Sequence, residues 1–162
     1  MSDQFQFSAE NTAKIPAILQ KYPDNHAQSA VMPLLDLAQE QNGGWLSKAA
    51  IATVATILNI PFIRVQEVAS FYSMYHLEPV GKIVVQVCTT TPCWLRGSDD
   101  VMRVCENKLK VLPGETKNNI TLLEVQCLGA CVNAPVVQIN GEYVEDLTPE
   151  TISDILDKEL KS

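Results

Sequence analysis

The sequence predicts an α+β protein, built from an N-terminal helical bundle and a small domain in which helices pack on a mostly antiparallel sheet. Apolar residues recur at helical spacing as far as about residue 74. From "KIVVQVC" onward, short β-branched runs alternate with amphipathic stretches, a pattern typical of strands and helices in one layered domain. The change falls around "EPVGK", residues 78 to 82, so we place the domains at 1–78 and 79–162.

Four helices are expected in the first domain, as a bundle from residue 8 to about residue 74. Ser47 is a good N-cap for the third helix, Asn59 ends that helix, and Pro61 suits the first turn of the fourth. Residues before Ser8 are expected to be mobile. The breaks between the first three helices are 23–25 and 42–44. The positions expected to face inward are Ile15, Ile18, Leu19, Tyr22, Val31, Leu34, Leu35, Ala38, Ile51, Val54, Ala55, Leu58, Val65, Val68, Ala69 and Tyr72.

The second domain is expected to follow the order β-α-β-β-β-α, a build typical of thioredoxin-like folds. "KIVVQVC" is its first strand, and a helix capped at Ser98 follows, with two acidic residues in its first turn. "ITLLEVQ" is the next strand, and "PVVQINGEYV" forms a hairpin around Asn140 and Gly141. The last helix is capped by Thr148, with a proline at its first position.

Composition excludes some classes of function. The chain has 162 residues and a formal net charge of -7, which argues against nucleic-acid binding because that activity needs clustered Lys and Arg. No apolar stretch approaches the length of a membrane span, so no direct membrane insertion is expected. The N-terminus has neither a secretory signal nor an Arg-rich presequence. A cytoplasmic, reducing compartment is therefore expected, where clustered cysteines bind metals or react rather than form disulfides.

Four of the five cysteines form two closely spaced pairs. Cys88 and Cys93 bracket "CTTTPC", and after 33 residues Cys127 and Cys131 bracket "CLGAC". Each pair follows a predicted strand and is expected to lie in a loop, so the four thiolates can point toward one place. Gly129 lets the second loop bend tightly. Backbone N–H groups and the hydroxyls of residues 89–91, all threonines, are expected to donate to the sulfurs of an anionic centre.

Spacing leaves several kinds of site open. Structural zinc favours C-x2-C or C-x4-C pairs, which the second loop does not match, and a redox dithiol needs C-x-x-C, which is absent. A Rieske centre needs two histidines near paired cysteines, whereas His26 lies in the helical half. A [2Fe–2S] cluster takes four cysteines and suits the pattern.

Cys105 falls on the inward stripe of a helix and is interpreted as a buried hydrophobe.

Residues next to the first cysteine pair suggest further roles. Trp94 would either shield a cluster from water or contact a partner, and Arg96 would either stabilise the reduced centre or pair with Asp99. His76 would serve at an interface or in packing. The chain has no GxGxxG fingerprint, no P-loop and no arguable Ser-His-Asp set, so no catalytic residue is predicted. An isolated cluster domain carries electrons and needs a catalytic partner.

Longer motifs carry a resemblance that covers residues 8–160. "GGWLSKAAI", "NIPFIRVQEVASFYSMYHLEPVGK", "VQVCTTTPCWLRGSDDV" and "CLGACVNAPVVQING" closely resemble the NuoE-type iron–sulfur subunit family of respiratory complex I, the NADH:quinone oxidoreductase. The resemblance implies a thioredoxin-like [2Fe–2S] ferredoxin domain behind the helical bundle. The family's ligands, for cofactor and metal alike, fall on Cys88, Cys93, Cys127 and Cys131.

The resemblance also implies how the chain would act. Its partner would be the flavoprotein subunit (NuoF type) that binds NADH and FMN, with further peripheral-arm subunits, and the cluster would exchange an electron with FMN off the main path to quinone. The chain would be an enzyme only as a subunit, with no complete active site of its own. It would be peripheral to the cell membrane on the cytoplasmic side, or on the matrix side in a mature mitochondrial protein. The alternatives are a diaphorase subunit of an NAD-linked hydrogenase or formate dehydrogenase, and a structural zinc module.

Overall fold

The chain forms two compact units that divide between Pro79 and Val80. The computed structural model describes residues 4–23 and 25–161, so residues 1–3, Ser162 and Asp24, within the predicted break at 23–25, lie outside it. We call residues 4–79 the helical unit and residues 80–161 the sheet unit. In this described part of the protein, no helix is long and apolar enough to cross a bilayer.

The helical unit contains four α-helices, as predicted. They are α1 (Ala9–Leu19), α2 (Val31–Gln41), α3 (Lys48–Leu58) and α4 (Phe62–Phe71), with a 3-10 turn at Ala27–Ala30. The Ser47 hydroxyl accepts from the Ala50 N–H at the start of α3, and Asn59 ends α3 in the left-handed conformation. Pro61 is the N-cap of α4 and precedes its first turn.

The core of the helical unit follows the predicted stripes, with one correction. Tyr72 is exposed, because α4 ends at Phe71 and the helical spacing cannot be extended past that end. Tyr75 is buried instead, and its hydroxyl donates to Asp36 Oδ1 at 2.9 Å. The buried apolar residues are Ile15, Ala30, Leu34, Leu35, Leu37, Ala38, Leu46, Ala50, Ile51, Val54, Ala55, Leu58, Val65, Ala69 and Tyr75.

The expected mobility before Ser8 is wrong for the residues that the structure describes there. Phe5 and Phe7 pack against the helical core, and their rings meet edge to face with centroids 5.2 Å apart. The Thr53 hydroxyl donates to the Phe5 carbonyl at 2.9 Å. Two aromatic side chains thus anchor this segment, which a rule based on chain position does not take into account.

The sheet unit is built on a five-stranded sheet in the order β2-β3-β1-β4-β5. The strands are β1 (Ile83–Cys88), β2 (Glu115–Lys117), β3 (Ile120–Val125), β4 (Val137–Ile139) and β5 (Glu142–Val144). Only β1 and β3 are parallel, and the other neighbours are antiparallel, as predicted. Asn140 and Gly141, with φ of 50° and 91°, form the predicted turn between β4 and β5.

Three α-helices complete the sheet unit, α5 (Thr91–Leu95), α6 (Ser98–Leu109) and α7 (Pro149–Glu159), together with a 3-10 turn at Cys131–Asn133. Because α6 lies in the crossover between parallel strands β1 and β3, it runs back along the sheet and begins at the carboxyl end of β1. Lys108 joins α6 to α7 through Asp157 Oδ2 at 2.7 Å. The core between helices and sheet consists of Val85, Val87, Val101, Met102, Cys105, Leu109, Val111, Ile120, Leu122, Val137, Ile139, Leu147, Ile152 and Leu156.

Three local features of the sheet unit differ from the sequence-based expectation. Helix α5 places Cys93 in a short helix rather than in a loop. Strand β2 was not predicted, since its three residues are all exposed and show no alternation. Ser98 is not the cap of α6, because Gly97 occupies that position with φ of 93° and Ser98 is the first helical residue.

Candidate metal centre

The first cysteine pair is buried at the carboxyl end of β1. Cys88 is the last residue of the strand and Cys93 lies in α5, and each is 1% exposed. The two thiols are near enough to affect each other's pKa. Ala134 and Val136 form a small apolar cluster with the two cysteines, so the pair is held in a closed environment.

The second pair follows β3 and is exposed. The sulfur atoms of Cys127 and Cys131 lie 3.5 Å apart. Two thiolates on one tetrahedral metal with bonds of about 2.3 Å lie roughly 3.8 Å apart, so the pair is already close to chelating geometry. Gly129 has φ of 86°, as the predicted tight bend requires, and its N–H donates to Cys127 Sγ at 3.4 Å.

Contacts between the two loops bring the pairs into one site. The backbone N–H of Leu128, in the second loop, is close enough to Cys88 in the first to lower the pKa of its thiol. Cys131 is close enough for its charge to act on Cys93, and Cys88 acts on Cys131 in the same way. In the residues that the structure describes, no three His, Cys, Asp or Glu side chains surround a single metal position. The thiols instead form two pairs, and in a two-iron centre each iron takes two of the four ligands.

The two thiols of the first pair differ in pKa. Burial raises the pKa of Cys88, but hydrogen bonds from the Thr90 hydroxyl and from the Leu128 and Thr90 N–H groups outweigh burial and lower it overall. Burial and the hydrogen bond to Cys88 raise the pKa of Cys93 to about 11. Cys88 is therefore the more acidic thiol of this pair. A metal that binds here must displace the proton, because the ligand is the thiolate.

The predicted threonine donors are corrected by the structure. Thr90 Oγ1 lies 3.2 Å from Cys88 Sγ, as expected of a donor to sulfur. The Thr89 hydroxyl points elsewhere and donates to Glu124 Oε1 at 2.8 Å. Thr91 is the exposed first residue of α5, and the described residues show no hydrogen bond from its hydroxyl to sulfur. One of the three hydroxyls therefore supports the site.

Backbone donors were expected at the site, but the sequence did not indicate which residues supply them. The Leu128 N–H acts to lower the pKa of Cys88, and the Val136 N–H acts to lower that of Cys93. Every non-proline residue carries this donor, so nothing in the side-chain pattern marks it. In the sequence, the one indication is that "NAPVV", which contains Val136, follows closely after the second pair of cysteines.

The other residues singled out near the site have clear positions. Trp94 is exposed, and its Nε1 donates to Asp99 Oδ2 at 3.0 Å, so Asp99 pairs with Trp94 rather than with Arg96 in the described structure. Cys105 is fully buried on α6, and burial raises its pKa to about 12, which confirms its interpretation as a buried hydrophobe. His76 lies half-buried in the helical unit, where burial lowers its pKa.

Comparison with known proteins gives the fold and the family that the sequence motifs indicated. The family described as thioredoxin-like [2Fe–2S] ferredoxin matches residues 15–160. The E subunit of NADH-quinone oxidoreductase from Rickettsia bellii (strain RML369-C) is 56% identical over 95% of this chain and 93% of its own length. The mitochondrial NADH dehydrogenase [ubiquinone] flavoprotein 2 of Dictyostelium discoideum is 51% identical over 95% of this chain and 63% of its own.

A solved structure shows the fold at greater distance. The crystal structure of the NAD⁺-reducing [NiFe]-hydrogenase in the air-oxidized state aligns with a TM-score of 0.64 and 21% identity, covering 76% of this chain and 22% of that one. At this identity the likeness concerns the fold. Together with the near full-length match to the bacterial E subunit, these findings place the chain in the family of thioredoxin-like [2Fe–2S] ferredoxins that includes the NADH-quinone oxidoreductase E subunits.

Proposed function

We propose that this chain is the electron-transfer subunit of an NADH:quinone oxidoreductase and holds a [2Fe–2S] cluster on Cys88, Cys93, Cys127 and Cys131. The observation that carries the proposal is the parallel pairing of β1 with β3, which sets Cys88 beside Val125, two residues before Cys127, and so brings two thiol pairs to one end of the sheet on the family's fold. When bound, such a cluster supplies a one-electron carrier. The donor set fits it, because the two loops offer four thiols and the sheet unit contains no histidine.

The protein's own part is to hold and tune the thiolates. Thr90, Leu128 and Val136 direct hydrogen bonds at the buried pair. Donors to sulfur stabilise added negative charge, so they raise the reduction potential of a bound centre. Burial of Cys88 and Cys93 keeps water from one side, whereas the exposed Cys127 and Cys131 leave the other side open. Electrons would enter and leave through the open side.

The partner would be the flavoprotein subunit that binds NADH and FMN, within a larger assembly peripheral to the membrane. Exposed apolar side chains lie next to the cysteines in sequence: Val132, 92% exposed, follows Cys131, and Trp94 and Leu95 are exposed in α5 after Cys93. An apolar rim around a redox centre suits a partner that covers it and excludes water. The flavin would then lie on the side of Cys127 and Cys131.

The proposal is tested by electron delivery from NADH. The protein is loaded with its centre, combined with the flavoprotein subunit from the same operon, and treated with NADH under anaerobic conditions. A spin-half EPR signal that appears with NADH only when the flavoprotein is present would support the proposal. A signal that dithionite elicits but that NADH with the flavoprotein never does would contradict it. The Cys88→Ala protein in the same mixture is the matched control for signals from the flavoprotein itself.

A further inference from the structure

Ser98 has a buried hydroxyl with no hydrogen-bond partner. The residue is 0% exposed, and within the described residues its Oγ is the sole buried side-chain oxygen or nitrogen left unpaired. The other buried hydroxyls are satisfied: Ser47 Oγ accepts from the Ala50 N–H at 3.1 Å, and Thr121 Oγ1 accepts from the Gly81 N–H at 2.7 Å. An unpaired buried hydroxyl is unfavourable, so the Ser98 Oγ calls for an acceptor that the polypeptide does not supply.

Ser98 does not serve as a helix cap. Gly97 is the N-cap of α6, with φ of 93°, and Ser98 makes no capping hydrogen bond. Its side chain belongs instead to the buried face of α6, one turn before Val101 and Met102 and two turns before Cys105. Alanine at this buried position would avoid the cost of an unsatisfied polar atom, so the serine hydroxyl is not needed for packing.

Ser98 lies at the end of the sheet unit where the first cysteine pair is found. Helix α6 begins at the carboxyl end of β1, where Cys88 ends the strand. The segment between Cys93 and Ser98 is tightly folded, because the Arg96 N–H donates to the Cys93 carbonyl at 3.1 Å and the Gly97 N–H to the Trp94 carbonyl at 3.0 Å. The hydroxyl is therefore buried between α6 and the sheet, at the end of the sheet that carries the first cysteine pair.

The thiols themselves are not the missing acceptor. All four candidate ligands are present, and the Ser98 hydroxyl is hydrogen-bonded to none of them. A [2Fe–2S] centre brings two further sulfur acceptors, its bridging sulfides. A centre held by Cys88 would lie at the end of the sheet where α6 begins.

We propose that the Ser98 Oγ–H donates a hydrogen bond to a bridging sulfide of the bound centre, which makes Ser98 a positioning residue that raises the reduction potential. The inference rests on the proposed function, since it requires the [2Fe–2S] centre. The reduced centre carries one more negative charge, so a donor to its sulfide stabilises the reduced form more than the oxidised form. Removing the donor shifts the midpoint potential to a more negative value.

The test uses the full-length protein with its centre, as wild type, Ser98→Ala and Ser98→Thr, with Cys105→Ala as control. Cys105 lies on the same buried face seven residues further along α6, about 10 Å away. Iron and sulfide are counted first. EPR-monitored titration gives the midpoint potential, and proton ENDOR after exchange into D2O gives the exchangeable protons coupled to the reduced centre.

We expect Ser98→Ala to keep its iron and sulfide, to lose one exchangeable-proton coupling and to shift the midpoint potential negatively. Ser98→Thr, which keeps a hydroxyl, should restore the coupling, and Cys105→Ala should change neither quantity. Ser98→Ala with a full complement of iron and sulfide, an unchanged potential and every coupling retained would overturn the proposal. Wild type without iron and sulfide would refute the proposed function itself, and the two failures are told apart by that count.

A substitution-free measurement decides the matter if Ser98→Ala does not retain the centre. The other serines after residue 79 are Ser153, in α7 beside the Lys108 amine, and Ser162, the last residue of the sequence. Wild-type protein labelled with ¹³C at serine Cβ should show a ¹³C hyperfine coupling, because the proposal places the Ser98 side chain at the centre. Absence of any such coupling in the reduced, fully loaded protein would overturn the proposal.

Discussion

The backbone N–H of Leu128 lies close enough to Cys88 to lower the pKa of its thiol, so a residue between the second pair of cysteines acts on a thiol of the first. The two loops are separated by the whole of α6, β2 and β3 in sequence, and the parallel pairing of β1 with β3 places their carboxyl ends side by side. The register joins Cys88 to Val125, two residues before Cys127. The fold thus places the two thiol pairs at the same end of the sheet.

Single Cys→Ala substitutions at positions 88, 93, 127 and 131 should each abolish the centre, because a [2Fe–2S] cluster needs all four thiolates. Iron per protein molecule should fall from two to near zero, measured together with acid-labile sulfide on anaerobically purified protein. Cys105→Ala should keep both at the wild-type level, since Cys105 lies in the α6 stripe. A Cys105→Ala protein without iron, or a Cys127→Ala protein with two irons, would show that the ligand assignment is wrong.

Thr90→Val should lower the reduction potential, because it removes the hydroxyl that lies 3.2 Å from Cys88 Sγ while keeping the side-chain shape. We expect a shift of roughly 20 to 60 mV, equivalent to about 0.5 to 1.4 kcal/mol for one electron. Thr89→Val is the matched control, since that neighbouring hydroxyl donates to Glu124. EPR-monitored titration measures both, and equal potentials in the two variants would count against a tuning role for Thr90.

Leu95→Asp should weaken binding of the flavoprotein partner by about tenfold or more, because it places a charge on the apolar rim of the site. Leu112→Asp is the control: Leu112 is 58% exposed, against 71% for Leu95, but it follows the far end of α6. Calorimetric or biolayer titration of the loaded proteins with the flavoprotein gives the two affinities. Equal losses for both variants would place the partner elsewhere on this unit.

Cys105 should resist alkylation in the native protein. Burial raises its pKa to about 12, so the folded state favours the neutral thiol. The thiolate fraction at pH 9 is then about a thousandth, and labelling by iodoacetamide should be at least about a hundredfold slower than for a free thiol. The stability gained from the neutral thiol is complete below pH about 9 and is lost as the pH rises from about 9 to about 12.

Peptide mass spectrometry after timed labelling between pH 8 and pH 11 checks this expectation. The Cys105 rate should rise about tenfold for each pH unit without a plateau, whereas the rate for denatured protein should level off above pH about 9. Rapid labelling of Cys105 in the native protein at pH 8 would contradict its burial.

Much of the fold was predictable because its signals are local. Asn140 and Gly141 both adopt positive φ in the β4–β5 turn, where these two residue types carry little strain. Thr148 caps α7 by accepting from the Thr151 N–H, as its place before a proline and an apolar stripe indicated. The family and its [2Fe–2S] cofactor class were also predicted, and the family match confirms both.

The features missed by the sequence analysis are those whose stability comes from tertiary contacts. Helix α5 has five residues, too few for a periodic pattern, and Cys93 within it is held by contacts with Cys88 and Val136. Strand β2 has no apolar face and pairs only because β3 lies next to it across a turn at Asn118 and Asn119. The capping role expected for Ser98 was wrong because Gly97 starts α6 in the left-handed conformation.

The most direct test of the account is an analysis of the wild-type protein purified without oxygen. Iron, zinc and acid-labile sulfide are counted, and a low-temperature EPR spectrum is recorded after dithionite reduction. The account predicts two irons, two sulfides and a spin-half signal in each molecule. One zinc ion, no sulfide and no signal would contradict it, and would make the two cysteine pairs a structural metal site.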